Sequence, residues 1–167
     1  MNAANGGELI EAKVITLPLL HVVGYRIEAN VAEFESGLGK DTYRLLVERK
    51  AEIMNRKNEN VMLMQIYPMN DDFDPQVDRF TNLICYEVSE QADVPVDMTS
   101  HTVTESKYVT YKHKGLESEL SRSYGYVYGD WMSETGNEPK DYDFEIWDER
   151  YQPESPDNEI DLYIALK

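Results

Sequence analysis

The sequence predicts an α+β fold: two pseudo-twofold βαββ units forming one curved antiparallel sheet, with two helices on one face and a central ligand groove. Three observations lead there. The 167 residues are the length of one ordinary domain. Hydrophobic residues make up 41% and include 12 Tyr, 4 Phe and 2 Trp, enough to fill a core and too aromatic for a disordered acidic chain. The apolar segments follow one order, strand, helix, strand, strand, and that order occurs twice.

The elements are predicted as follows. Met1 to Glu8 are small and polar, and residues 1–12 read as a flexible leader, without the basic start or apolar stretch of a signal peptide. From Lys13 to Glu28 the chain is β-rich and bent by Pro18 and Gly24, a long or broken strand. Past Gly37 and Gly39, Lys40 to Lys57 carries Tyr43, Leu46, Val47, Ile53 and Met54 at helical spacing. Val61 to Tyr67, closed by Pro68, and Arg79 to Val88 are the next strands, completing unit one over about 13–90. After a loop containing Pro95, unit two covers about 100–167: a strand Thr102 to Lys112, a helix Leu116 to Met132 stopped by Gly136, a strand Asp143 to Trp147 and a last strand Glu159 to Lys167. Together, 13–167 form a single domain.

The balance of 32 acidic against 16 basic residues gives a net charge of −16. That charge repels phosphate backbones and forfeits counterion release, so nucleic acid is excluded as a direct ligand. One cysteine, Cys85, leaves no intramolecular disulfide, and His21, His101 and His113 have no ligand spacing, so neither a metal nor another cofactor is expected. The longest apolar run, Leu17 to Val23, is strand-length and no membrane partner is expected; a cytoplasmic setting follows. P-loop, dinucleotide glycine and nucleophile-elbow motifs are absent.

Candidate ligand-binding residues come from strand alternation. In Asp143-Phe-Glu-Ile-Trp147, Phe144 and Ile146 share one face, expected to pack on the helices, and Glu145 and Trp147 share the other, expected to face the groove. Gln65 and Tyr67 are the matching pair in unit one. A carboxylate walled by aromatic rings suits flat cationic ligands through stacking, cation–π attraction and counter-charge. Tyr111 and Tyr163 are further pocket candidates, whereas Tyr124, Tyr128 and Trp131 at helical spacing read first as core. Residues 130–161 hold twelve acids against Lys140 and Arg150, a local charge of −10 that concentrates cations near the strand.

The stretch Tyr128-Gly-Asp-Trp131-Met-Ser-Glu134-Thr-Gly136, then Tyr142-Asp-Phe-Glu145-Ile-Trp-Asp-Glu149-Arg-Tyr151, then Asp161-Leu-Tyr163-Ile-Ala-Leu-Lys167, resembles the gyrase-inhibitor-like (GyrI-like) family. That family includes effector-binding domains of AraC-type and multidrug-sensing regulators. The resemblance covers about Lys13 to Lys167 and implies the paired βαββ fold around a ligand groove, with Glu145 as the groove acid and Trp131 as the helix-end tryptophan. It implies a binder of aromatic, cationic or amphipathic ligands, sensing or sequestering drugs or toxins. Because 13–167 uses up the chain, no DNA-binding domain is expected before it, and a regulator or gyrase becomes the candidate protein partner. An alternative within the family is hydrolysis of cyclopropane-containing DNA-alkylating compounds, with Glu145 as acid/base. A further alternative is an acidic gyrase-interacting protein.

Overall fold

The computed structural model describes residues 4–5, 8–90 and 93–167. Of the expected leader, residues 1–3, 6 and 7 lie outside the described residues, as do 91 and 92 of the loop before Pro95. Strands β1 (Ala4–Asn5) and β2 (Glu8–Leu9) form a short antiparallel pair. The remaining chain is α+β with antiparallel strands, and it divides into two compact units. One is continuous, Leu19–Thr104; the other is discontinuous, Met1–Pro18 with Glu105–Lys167.

The continuous unit holds β4 (Leu20–Ala29), β5 (Val61–Ile66), β6 (Phe80–Val88) and β7 (Thr99–Val103), in the order β5-β6-β4-β7. Gly24, expected as a bend, sits mid-strand opposite Cys85. It is there for close approach: a Cβ at Gly24 would lie 2.0 Å from the Ile84 carbonyl oxygen and 2.5 Å from Cys85 Cα. The helix starts well before Lys40. Asn30 caps α1 (Val31–Glu33), with its side chain accepting from Glu33 N–H at 2.9 Å and the Glu33 carboxylate accepting from Asn30 N–H at 3.1 Å, a reciprocal capping box. A wide π-type turn (Phe34–Leu38) follows, kinked at Gly37 with φ 125°, and then α2 (Gly39–Glu48). The glycines expected to precede the helix are thus inside its path, because Gly37 supplies the left-handed φ of the kink.

In the discontinuous unit the order is β3-β8-β10-β9, with β3 (Lys13–Leu17), β8 (Ser106–Lys114), β9 (Pro139–Trp147) and β10 (Glu159–Leu166). Pro18 therefore separates two strands with different partners: β3 pairs with β8, while β4 pairs with β6 and β7. The same exchange occurs at Thr104–Glu105, where the single strand expected from Thr102 splits into β7 on β4 and β8 on β10. Residues 117–135 make a 3-10 turn (Glu117–Glu119), α3 (Leu120–Gly125), a π-type segment (Tyr126–Trp131) and α4 (Met132–Thr135). Gly136 ends the run at φ 72°, its N–H returning to the Met132 carbonyl, as its position predicts.

The helical run lies on the face of this sheet that carries Val109, His113, Ile160, Leu162 and Ile164. Ile160, Leu162, Ile164 and Val109 are fully buried, each side chain contributing about 1.5–3 kcal/mol over exposure. His113, also buried, joins sheet to helix through Ser123 Oγ at 2.7 Å and the Leu116 carbonyl at 2.9 Å. Among the described residues no helix is long and apolar enough to cross a membrane.

Candidate functional site

Strand alternation in β9 puts Asp143, Glu145 and Trp147 on one face and Phe144 and Ile146 on the other. The pairing with β10 decides which face is which. Glu145 lies opposite Leu162 and Asp143 opposite Ile164, so the acidic side chains join the aliphatic, helix-covered face. Phe144 instead pairs with Tyr163 and stacks on it with centroids 4.8 Å apart. The expectation that Phe144 and Ile146 pack on the helices is therefore reversed: the aliphatic set that meets the helix comes from β10, and its register carries Glu145 with it.

Two tyrosines four residues apart on the helical run reach these acids. Tyr124 Oη donates to Glu145 Oε2 at 2.5 Å and Tyr128 Oη donates to Asp143 Oδ2 at 2.6 Å. The match is geometric: positions i and i+4 rise about 6 Å along a helix, and i and i+2 advance about 7 Å along a strand. Both hydroxyls therefore find a carboxylate, and the rings stack with centroids 6.3 Å apart. Glu145 Oε1 accepts from Trp147 Nε1 at 2.9 Å, and the Trp147 indole stacks on the Tyr151 ring, centroids 4.7 Å apart and planes 4° from parallel. Tyr151 Oη donates in turn to Glu117 Oε2 at 2.6 Å.

Glu145 is 3% exposed, and both of its oxygens are met by neutral donors. Burial pushes its pKa up to about 7, against the pull of the Tyr124 and Trp147 hydrogen bonds; the nearby Asp143 and Glu117 carboxylates push it further up. Tyr128, beside Asp143, is held well above the usual phenol range, chiefly by burial. The result is an acid that exchanges its proton near neutrality inside an aromatic wall. Such a group can neutralise a cation or donate a proton. Among the described residues no group of three or more His, Cys, Asp or Glu could hold a metal ion.

The model of the integron-associated effector binding proteins, Cass2, matches residues 13–166. The chain belongs to this family. As a Cass2 member it is a GyrI-like small-molecule (effector) binding domain, in agreement with the expected family. The curated transcriptional regulator BrlR of Pseudomonas aeruginosa is 36% identical over 83 residues, 48% of this chain and 31% of that protein, so the match spans about a third of the regulator's length. The C-terminal domain of EcmrR superposes with a TM-score of 0.72 at 14% identity, covering 96% of this chain and 99% of that one. SAV2435 bound to tetraphenylphosphonium superposes at 0.67 with 16% identity, covering 94% of each chain. At these identities the two structures share the fold.

Among the expected site residues of this Cass2 chain, Glu145 and Trp147 touch directly. Tyr111 is on their face, opposite Leu162, and packs on Tyr126 with centroids 5.1 Å apart. Tyr163 is not with them. It points to the opposite face, because Leu162 rather than Tyr163 lies across from Glu145. Trp131 is buried at the end of the π-type segment, three residues past Tyr128. Gln65 and Tyr67 belong to the continuous unit, where Gln65 pairs with Asn82 and Tyr67 packs on Phe73 and Phe80.

Helical spacing alone reads Tyr124 and Tyr128 as core, and Asp143, Tyr151 and Glu117 are not among the ligand-binding candidates expected from the sequence. The signal was present as two spacings, 124/128 and 143/145, but only the register joins them. Within the acidic surround Arg150, already counted in its charge of −10, gathers three acids: Nη2 reaches Asp148 and Asp161, each at 2.7 Å, and Nη1 reaches Glu159 at 3.3 Å.

Proposed function

We propose that this domain binds aromatic, cationic or amphipathic small molecules of the drug or toxin kind, with Glu145 as the counter-charge and Trp147, Tyr124 and Tyr128 as the aromatic surround. One observation carries the reading: a buried carboxylate with two neutral hydrogen-bond donors on its two oxygens. A carboxylate in that position is costly to ionise, and a ligand cation supplies the charge that makes ionisation favourable. The aromatic rings add stacking and cation–π attraction of about 0.5–2 kcal/mol each. The tetraphenylphosphonium carried by SAV2435 is an aromatic cation of the same class, held by a protein of the same fold.

The test is calorimetric titration with tetraphenylphosphonium at pH 8, for the wild type and Glu145→Gln. A charge-assisted contact of about 1.5–3 kcal/mol corresponds to a loss of roughly tenfold to a hundredfold in affinity on substitution. Equal binding by the two proteins, or none by the wild type, overturns the proposal. Steady breakdown of an activated ligand in the same mixture, followed by mass spectrometry, would mark turnover instead of binding.

A further inference from the structure

The stack beside Glu145 has an unusual composition. Trp147 and Tyr151 lie nearly parallel, 4.7 Å apart, and a carboxylate closes each end: Glu145 on the indole N–H and Glu117 on the phenol hydroxyl. Trp147 is buried, while Tyr151 and Glu117 are half-buried, so the phenol is the ring of the pair with an open edge. The Tyr151 ring contributes a flat surface and one O–H donor, but no positive charge to set between two acids.

We propose that Tyr151 stands in for a ligand ring, and that planar aromatic cations bearing N–H donors replace it on Trp147 between Glu145 and Glu117. This deepens the function proposed above and rests on it, since it takes Glu145 as the counter-charge of the same site. A planar aminoaromatic cation reproduces two contacts of the phenol, ring on indole and donor on Glu117, and adds a charge opposite Glu145. Trp is the aromatic side chain that attracts a cation over its face most strongly.

The exchange is a side-chain event, because the backbone on both sides of Tyr151 is tied down. Tyr151 N–H donates to the Asp148 carbonyl at 3.0 Å, Gln152 N–H donates to Asn158 Oδ1 at 2.7 Å, and the Pro153 carbonyl accepts from Glu117 N–H at 2.9 Å. Arg150 holds the preceding turn on Asp148, Asp161 and Glu159. Rotation about the Tyr151 side-chain bonds frees the indole face while the loop stays in place. A planar ring fits the space that the phenol vacates, so ligands of that shape gain most from the exchange.

The experiment compares proflavine, a planar diaminoacridinium, with tetraphenylphosphonium on the wild type, Tyr151→Ala and Tyr151→Phe, read by tryptophan fluorescence and calorimetry. An aromatic pair is worth about 0.5–1.5 kcal/mol, so removing the internal competitor tightens proflavine about two- to tenfold. Tetraphenylphosphonium changes less than proflavine, and Tyr151→Phe, which releases only Glu117, falls between the wild type and Tyr151→Ala. In the wild type, the Tyr151 ring-proton resonances, shielded by the indole, move downfield as proflavine binds; this readout stands even if Tyr151→Ala fails to fold. Folded Tyr151→Ala that binds proflavine no better than the wild type overturns the inference, as do Tyr151 resonances that stay in place at saturation. If tetraphenylphosphonium still binds in a Glu145-dependent way, only this inference falls. If neither cation binds, the proposed function falls with it.

Discussion

Replacing Glu145 with Gln should stabilise the protein in alkaline solution and leave it nearly unchanged in acid. The folded-state pKa of Glu145 is about 7 against an ordinary value of 4.5, raised first by burial. A raised carboxyl pKa means that the folded state holds its proton more tightly than the unfolded chain. Stability is therefore full below about pH 4.5 and is lost as pH rises through about 7. The difference is about 2.5 pH units, which at about 1.4 kcal/mol per unit is a cost of roughly 3 kcal/mol above pH 8. Gln carries no charge to bury. Its amide oxygen can accept from Trp147 Nε1 while its NH2 donates to Tyr124 Oη, so the pair of contacts survives in neutral form. The assay is urea or thermal unfolding of both proteins at pH 5 and pH 9. Comparing the two cancels the large background effect of the −16 charge, common to both apart from this one group. A variant ahead by no more than about 1 kcal/mol at pH 5 and by up to about 3 kcal/mol at pH 9, the latter about 6–12 °C for a domain of this size, is the expected result. A difference that does not depend on pH, or one that favours the wild type as pH rises, would refute the reasoning.

Three further outcomes follow from the same geometry. Tetraphenylphosphonium affinity should fall about tenfold per unit as pH drops below 7, since the proton competes for Glu145, and level off above it, as titrations from pH 5 to 9 would show. Tyr128→Phe removes the hydroxyl that Asp143 accepts from at 2.6 Å and should cost about 1–3 kcal/mol by urea unfolding, the loss expected when a buried carboxylate is left short of a donor. Gly24→Ala places a methyl group 2.0 Å from the Ile84 carbonyl oxygen; forcing β4 and β6 apart should cost about 1–3 kcal/mol or more, seen as a lower midpoint in thermal unfolding.

Much of the architecture was legible locally. Pro18, Gly136 and the alternation in β9 and β10 act through the backbone of their own segment, so a proline breaks the strand and a left-handed glycine ends the helix wherever the chain goes next. The capping box at Asn30 and Glu33 is equally local, although the helix expected from the sequence begins only at Lys40, past Gly37 and Gly39. Gly24 could not be read from its neighbours in sequence, since its cause is Ile84 and Cys85 on another strand.

The amino-acid sequence by itself determined the α+β class, the family and the fact that Glu145 and Trp147 share a face, because period two and element order are properties of single segments. Tertiary structure decided which way that face looks. The choice was made by the register of β9 on β10: with Leu162 across from Glu145, the carboxylate goes under the helix together with the aliphatic core, and Tyr163 goes with Phe144 to the other side. A shift of one residue would have exchanged the two outcomes. The same register brings Tyr124 and Tyr128 onto Glu145 and Asp143. The acid expected to face the groove is thereby buried under the helix, with its pKa raised to about 7.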